Sequence, residues 1–157
     1  MIVDLHNHTS LCNHATGTIE EYIEKAIEKK IDIYGFSDHA PMVYEPEYRM
    51  SFDEMAKYES LIRDAKHQYE GSIDIRLGYE VDYGEGFLDP RVLEADVDYL
   101  IGSVHFIHQW GFDNPAYLGL YSEKDPNETW KEYFGLIESM AQTGYFQIIG
   151  HLDLLKV

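Results

Sequence analysis

Residues 71–105, GSIDIRLGYEVDYGEGFLDPRVLEADVDYLIGSVH, decide the fold. Gly71 stops a preceding helical pattern, and an apolar run over residues 73–81 reads as a strand. A short helix around residues 90–95 follows, and a second apolar run over residues 97–104 ends at His105. Strand, helix and strand in this order make a βαβ unit, whose two strands lie parallel.

The same alternation extends both ways. Upstream, residues 2–5 form a short strand, and Thr18-Ile19-Glu20-Glu21 has the form of a helix capping box. Ile19, Tyr22, Ile23, Ala26 and Ile27 then recur at helical spacing. Residues 31–36 are the second strand and lead to Ser37-Asp38-His39. After a proline-broken loop, a second capping box (Ser51–Glu54) opens a helix carrying Met55, Tyr58, Ile62, Ala65 and Tyr69 on one side. Downstream, an aromatic loop over residues 106–126 precedes a helix with Trp130, Phe134, Ile137 and Ala141 as its apolar face. Gly144 ends that helix, and residues 146–149 are the fifth strand. The expected fold is α/β, with five parallel strands and no internal repeat or linker. An open doubly wound sheet and part of a β/α barrel both fit this periodicity.

The chain has 157 residues, enough for one domain, and 45% of them are hydrophobic, enough for a packed core. Its 29 acidic and 12 Lys/Arg residues give a net charge of −17, which disfavours nucleic acid and anionic membrane surfaces as partners. No apolar run approaches the roughly 20 residues of a membrane helix. With Cys12 as the single cysteine there is no intrachain disulfide, and the first residues lack a signal-peptide pattern. The expectation is a cytoplasmic protein.

Every predicted strand delivers a histidine or carboxylate at its C-terminal end: His6 and His8, Asp38 and His39, Glu80 and Asp82, His105, and finally His151 and Asp153. In parallel α/β folds that edge carries active sites. His6 and His8 are two apart on an extended segment and therefore face the same way, and His14 can reach the same mouth from its loop. Imidazoles combined with a carboxylate suit zinc, manganese or iron, and a shared carboxylate suits ions a few ångströms apart. Asp38 and Asp153 adjoin candidate ligands and are the candidates for orienting a ligand or moving protons. Asp4 is either an orienting partner of a histidine or a plain strand residue. His67, on a charged helix, and His108, in a loop, read as ordinary surface histidines.

The segments DLHNHTSLCNHATG, GFSDHAP, LGYEVDY, IGSVHFI and IGHLDLLK resemble successive motifs of the polymerase-and-histidinol-phosphatase (PHP) superfamily. YRMS and the WGFDNP loop bring the chain nearest to its histidinol-phosphatase branch. The resemblance covers essentially the whole chain. It implies a distorted β/α barrel of which about the first five β-α units are present, with metals at the C-terminal mouth. It implies two or three divalent ions: His6 and His8 on the first, Glu80 bridging to the second, His105 and His151 completing the second, and His14 and His39 on the third. Arg49 and Lys156 are the candidates for phosphate contacts. The implied reaction is hydrolysis of a small phosphate ester, L-histidinol phosphate, in histidine biosynthesis. The alternatives are a phosphotyrosine or nucleotide ester, or a non-catalytic metal-binding remnant. Family members also carry a late Ser-Asp-x-His-like motif that this sequence lacks. The expectation is therefore a chain cut short after its fifth strand, with the first and third metal positions each missing a ligand. Its exposed sheet edge would invite homodimerisation.

Overall fold

A computed structural model describes residues 1–84 and 86–156. Five parallel strands form one sheet: β1 (Val3–Asp4), β2 (Ile33–His39), β3 (Asp74–Asp82), β4 (Tyr99–Ser103) and, after the short antiparallel pair β5 (Phe106–Ile107) and β6 (Trp110–Gly111), β7 (Ile148–Ile149). Helices α1 (Ile19–Glu28), α2 (Met55–Gln68), α3 (Pro90–Leu93) and α4 (Pro126–Gln142) make the connections between successive sheet strands. The sheet order is β1-β2-β3-β4-β7. A doubly wound sheet reverses its strand order at a switch point, and this one never does. The strictly sequential order is that of a barrel wall.

Curvature is visible in two contacts. Tyr99 on β4 donates its hydroxyl to the carbonyl of Leu5, just past β1, at 2.6 Å. In a flat sheet those strands would be three spacings apart, roughly 14 Å, farther than a tyrosine side chain reaches. The rings of His6, after β1, and His151, after β7, are 5.6 Å apart although these strands are the opposite edges of the sheet. Tyr99 crosses the inner face over two glycines: a Cβ at Gly78 would stand 2.6 Å from its ring, and one at Gly35 would strike its hydroxyl. Gly78→Ala is therefore expected to destabilise the fold by about 1–3 kcal/mol, as overpacking of a tight site does. Urea denaturation checks this, and a loss below about 0.5 kcal/mol would contradict the slot.

Period-two alternation divides β3 between two environments. Ile75, Leu77, Tyr79 and Val81 pack against Ile23 and Ala26 of α1 and Tyr58, Ile62 and Ala65 of α2 in the main core. Gly78, Glu80 and Asp82 occupy the other face. Because both faces are covered, the strand reads as a nearly continuous buried run. A second core under α4 joins Tyr133, Ile137 and Met140 to Val104, Trp110 and Phe112. Both capping boxes form: Glu21 Oε2 accepts from Thr18 N at 2.7 Å, and Glu54 Oε2 from Ser51 N at 2.9 Å.

Several expectations shift. The second strand continues through Asp38 and His39, so these residues lie in β2 and not after it. The fifth strand contracts to two residues. The aromatic loop holds the β5–β6 hairpin and a 3-10 segment, Pro115–Glu123. The buried stripe of α4 is Thr129, Tyr133, Ile137 and Met140, not the stripe through Phe134 and Ala141. Phe134 is 49% exposed and stacks on Trp130, a helix-surface aromatic pair that mimics core periodicity. Among the described residues no helix is long and apolar enough to cross a membrane.

Candidate metal centre

Glu80 lies at the middle of the curled edge, 1% exposed, and five imidazoles surround its carboxylate. Oε2 is 3.1 Å from His6 Nε2, 3.3 Å from His8 Nε2 and 3.3 Å from His39 Nδ1. Oε1 is 3.0 Å from His151 Nε2 and 3.7 Å from His105 Nε2, and it also accepts from Ser103 Oγ at 2.6 Å. The two oxygens thus face two different sets of histidines. His14, at the exposed rim, packs its ring 5.2 Å from that of His8 and 5.1 Å from that of His39. All seven residues expected as metal ligands are therefore gathered in one place.

Each element supplies its ligand for a local reason. Asp4 accepts the backbone N–H of His6 at 3.4 Å and the side-chain amide of Asn7 at 3.0 Å, and that amide also reaches the carbonyl of Gly35. The loop bearing His6 and His8 is thereby tied to β2. Asp38 is fully buried and accepts from both the backbone N–H and the hydroxyl of Thr9, while its Oδ1 lies 3.8 Å from His8 Nδ1. His105 Nδ1 meets Asp82 Oδ1 at 2.7 Å, which turns Nε2 toward Glu80. Asp82 Oδ2 in turn accepts from Arg49 Nη1 at 2.5 Å.

The electrostatics move the histidines in opposite directions. Burial lowers His8 to about 4 and His39 to about 3, so both are neutral near pH 7, the state that ligation requires. Burial opposes ionisation of Glu80 and Asp82, but the neighbouring histidines outweigh it and hold both carboxyls below their ordinary values. His105 is also penalised by burial, yet Asp82 and Glu80 raise it to about 9. Cys12, donating to the carbonyl of Thr9 at 2.9 Å, is raised by burial to about 11 and stays a thiol.

This donor set fits metal ions. Nδ1 of His8, His39 and His151 is buried without a hydrogen-bond partner. Two donors on a tetrahedral ion with bonds of about 2.1 Å stand roughly 3.4 Å apart. Most of the separations around Glu80 match that edge length better than the distance of a strong hydrogen bond. Among the described residues four groups of three potential ligands lie within 4.8 Å, including His6-His8-Glu80 and Glu80-His105-His151, which share the carboxylate.

The remaining candidates separate. Arg49 is not a loose surface charge: it is 6% exposed and lines the cleft beside His14, His39 and His105. Asp153 and Lys156 are exposed and pair with each other at 2.7 Å, so they are not gathered with the histidines. His67 and His108 are on the surface, near Glu70 and Glu132. Sequence reasoning gave no role to Asp82 or Ser103. Asp82 was already placed at the strand-end edge, and the period-two spacing of Glu80-x-Asp82, the same as that of His6-x-His8, could have shown that it faces the cluster beside Glu80.

Known proteins resemble this chain in sequence and in fold. A protein of Deinococcus radiodurans named "Probable histidinol-phosphatase" is 39% identical over 99% of this chain and 62% of its own length. The histidinol-phosphatase of Bacillus subtilis is 32% identical over 98% of this chain and 66% of its own. The chain thus spans less than two thirds of either relative. A crystal structure of histidinol phosphate phosphatase from Lactococcus lactis, complexed with zinc, L-histidinol and phosphate, superimposes with a TM-score of 0.79 at 20% identity, over 98% of this chain and 59% of that one. The five-stranded curled sheet is accordingly part of a distorted β/α barrel of the PHP type. Since the PHP domain pattern itself matches residues 4–157, from β1 to the segment beyond His151, the chain belongs to the PHP domain family.

Proposed function

We propose that the protein is a metal-dependent phosphomonoesterase that hydrolyses L-histidinol phosphate to histidinol and phosphate, a cytoplasmic step of histidine biosynthesis. The observation that carries this reading is the convergence of five imidazoles on the divided carboxylate of Glu80. The names of the relatives support the choice of substrate. His6, His8 and Glu80 would hold one ion, Glu80, His105 and His151 a second, and His14 and His39 a third, with zinc, manganese and iron as the candidates. Such ions, when bound, polarise phosphoryl oxygens and acidify a coordinated water.

The protein's own part is positioning. Asp82 fixes the His105 ring, and Asp38 with Thr9 fixes the loop of His8. Arg49 spends Nη1 on Asp82 and Nε on the carbonyl of Glu45. Among the described residues no hydrogen bond is made by its Nη2, so that nitrogen is assigned to a phosphate oxygen. Lys156 holds the Asp153 carboxyl below its ordinary value, which suits a carboxylate more than a proton donor. Exposed Ile2, just before the edge strand β1, and Val3 within it support self-association through a sheet edge.

The test is phosphate release from L-histidinol phosphate, with phosphotyrosine and a nucleotide monophosphate compared by kcat/KM. The expected result is preference for histidinol phosphate and a rate that falls at least about a hundredfold on chelation and returns with metal. Full activity in chelator, or a better kcat/KM for either comparison ester, would overturn it.

A further inference from the structure

The two histidines that face Glu80 Oε1 are held in different ways. His105 has its second ring nitrogen fixed, since Nδ1 meets Asp82 Oδ1 at 2.7 Å. His151 turns Nε2 to Glu80 at 3.0 Å, but its Nδ1 is buried with no hydrogen-bond partner. A histidine ligand is ordinarily oriented by a hydrogen bond at its other nitrogen. For His151 that task falls to the backbone.

The sheet gives that backbone little support. Strand β7 has two residues and stands at the end of the strand order, with β4 as its neighbour. Beyond it, Gly150 N donates to the Gly102 carbonyl at 2.8 Å. Gly150 is pressed against β4, because a Cβ there would strike Ser103 Oγ, the hydroxyl that donates to Glu80. One residue further on, support comes from outside the sheet. The Tyr133 hydroxyl, on α4, donates to the His151 carbonyl at 2.8 Å. Tyr133 is fully buried, and its ring meets those of Phe112 and Trp130 edge-on, with centroids 5.6 and 5.8 Å away. A ring packed in this way gives its hydroxyl one position. The end of β7 that carries a metal ligand is thus fastened to the core under α4, which Leu155 joins from the other side of His151.

We propose that Tyr133 is a positioning residue of the metal centre: through the His151 carbonyl it sets where the His151 imidazole stands relative to Glu80 and His105. A buried phenol needs an acceptor in any core. Here the acceptor belongs to a metal ligand whose ring has no orienting partner of its own. Loss of the hydroxyl therefore falls on the ion assigned to Glu80, His105 and His151, and leaves the others in place. This rests on the metal-centre reading and is independent of the substrate.

The test is titration of the full chain with cobalt(II) against a competing chelator, followed by the visible absorption of the bound ion. His151→Ala identifies the binding step that depends on His151. In Tyr133→Phe, which keeps the ring, that step is expected to weaken by about tenfold or more with an altered cobalt spectrum, as for a lost orienting partner. A 4-aminophenylalanine at position 133 restores a donor to the carbonyl and is expected to bring the affinity back to within about threefold. Ile137→Val, one turn along the same buried stripe, loosens the packing of α4 and is expected to leave cobalt affinity unchanged. In a His151→Ala background, Tyr133→Phe is expected to cost nothing further, because the coupling of two residues vanishes when either is gone. Unchanged affinity in Tyr133→Phe overturns the proposal. So does an equal loss in Ile137→Val, or a loss that persists without His151. The tenfold loss in a protein that hydrolyses no L-histidinol phosphate supports Tyr133 and defeats the substrate reading alone. A chain that binds no cobalt defeats the metal centre and this inference together.

Discussion

Glu80→Gln is expected to leave a folded protein that no longer retains its metals. The substitution keeps the side chain's shape and its bond with Ser103, but it removes the negative charge that both sets of histidines share. Structural metal sites with four ligands bind with about 10–16 kcal/mol, so one charged ligand carries roughly 3 kcal/mol, about a hundredfold in affinity. Because Glu80 faces both sets, the loss falls on two positions at once. Elemental mass spectrometry after gel filtration should show at least two equivalents per chain in the unmodified protein and less than about half an equivalent in Glu80→Gln. Activity of the protein toward L-histidinol phosphate should fall to background in parallel. A folded Glu80→Gln protein with its full metal complement would remove the central argument for a shared carboxylate.

Asp82→Ala is expected to be the most destabilising single change near the site. Asp82 is 3% exposed and Arg49 6%, and the pair is in bidirectional use: one oxygen takes the guanidinium at 2.5 Å, the other the His105 imidazole at 2.7 Å. Removing one member of a buried ion pair leaves the other charge stranded, at a cost of about 3–5 kcal/mol. That is a large share of the stability of an ordinary domain. The companion double variant Asp82→Leu/Arg49→Met should recover much of the loss, since an apolar pair of similar volume avoids desolvating either charge. Urea midpoints of the single and double variants decide this, and a single-variant loss under about 1 kcal/mol would show that Arg49 finds another partner.

Much of this protein was legible from its residues. The alternation of apolar runs and capped helices specified five parallel strands, because capping and periodicity are local properties that the chain carries wherever it goes. The placement of His6, His8, His39, Glu80, His105 and His151 at strand ends was enough to gather them, since parallel topology brings such ends to one edge. Other features were hidden because they arise only from tertiary geometry. Nothing local distinguishes a slotted glycine such as Gly78 from one that merely turns the chain. The choice between barrel and open sheet rests on strand order, which periodicity does not encode. Asp82 was placed at the strand-end edge but given no role, because its partner Arg49 lies 33 residues away in the sequence. On α4, stacking of Trp130 on Phe134 imitated a buried stripe one residue out of phase.

The tyrosine laid across two glycines also bears on how the chain acquires its form. Leu5 and Tyr99 are separated by 94 residues, so their contact closes a very long loop. Closure on that scale is slow relative to the formation of helices and neighbouring strand pairs. The segment carrying His6 and His8 follows immediately after Leu5 and completes its half of the metal cluster only when that closure has occurred. Assembly of the site is then a late folding event, and the α1–β2–α2–β3 region can order beforehand. Substitutions at Gly35 or Gly78 would on this view act twice, lowering stability at equilibrium and delaying the moment at which the nascent protein becomes able to capture its ions.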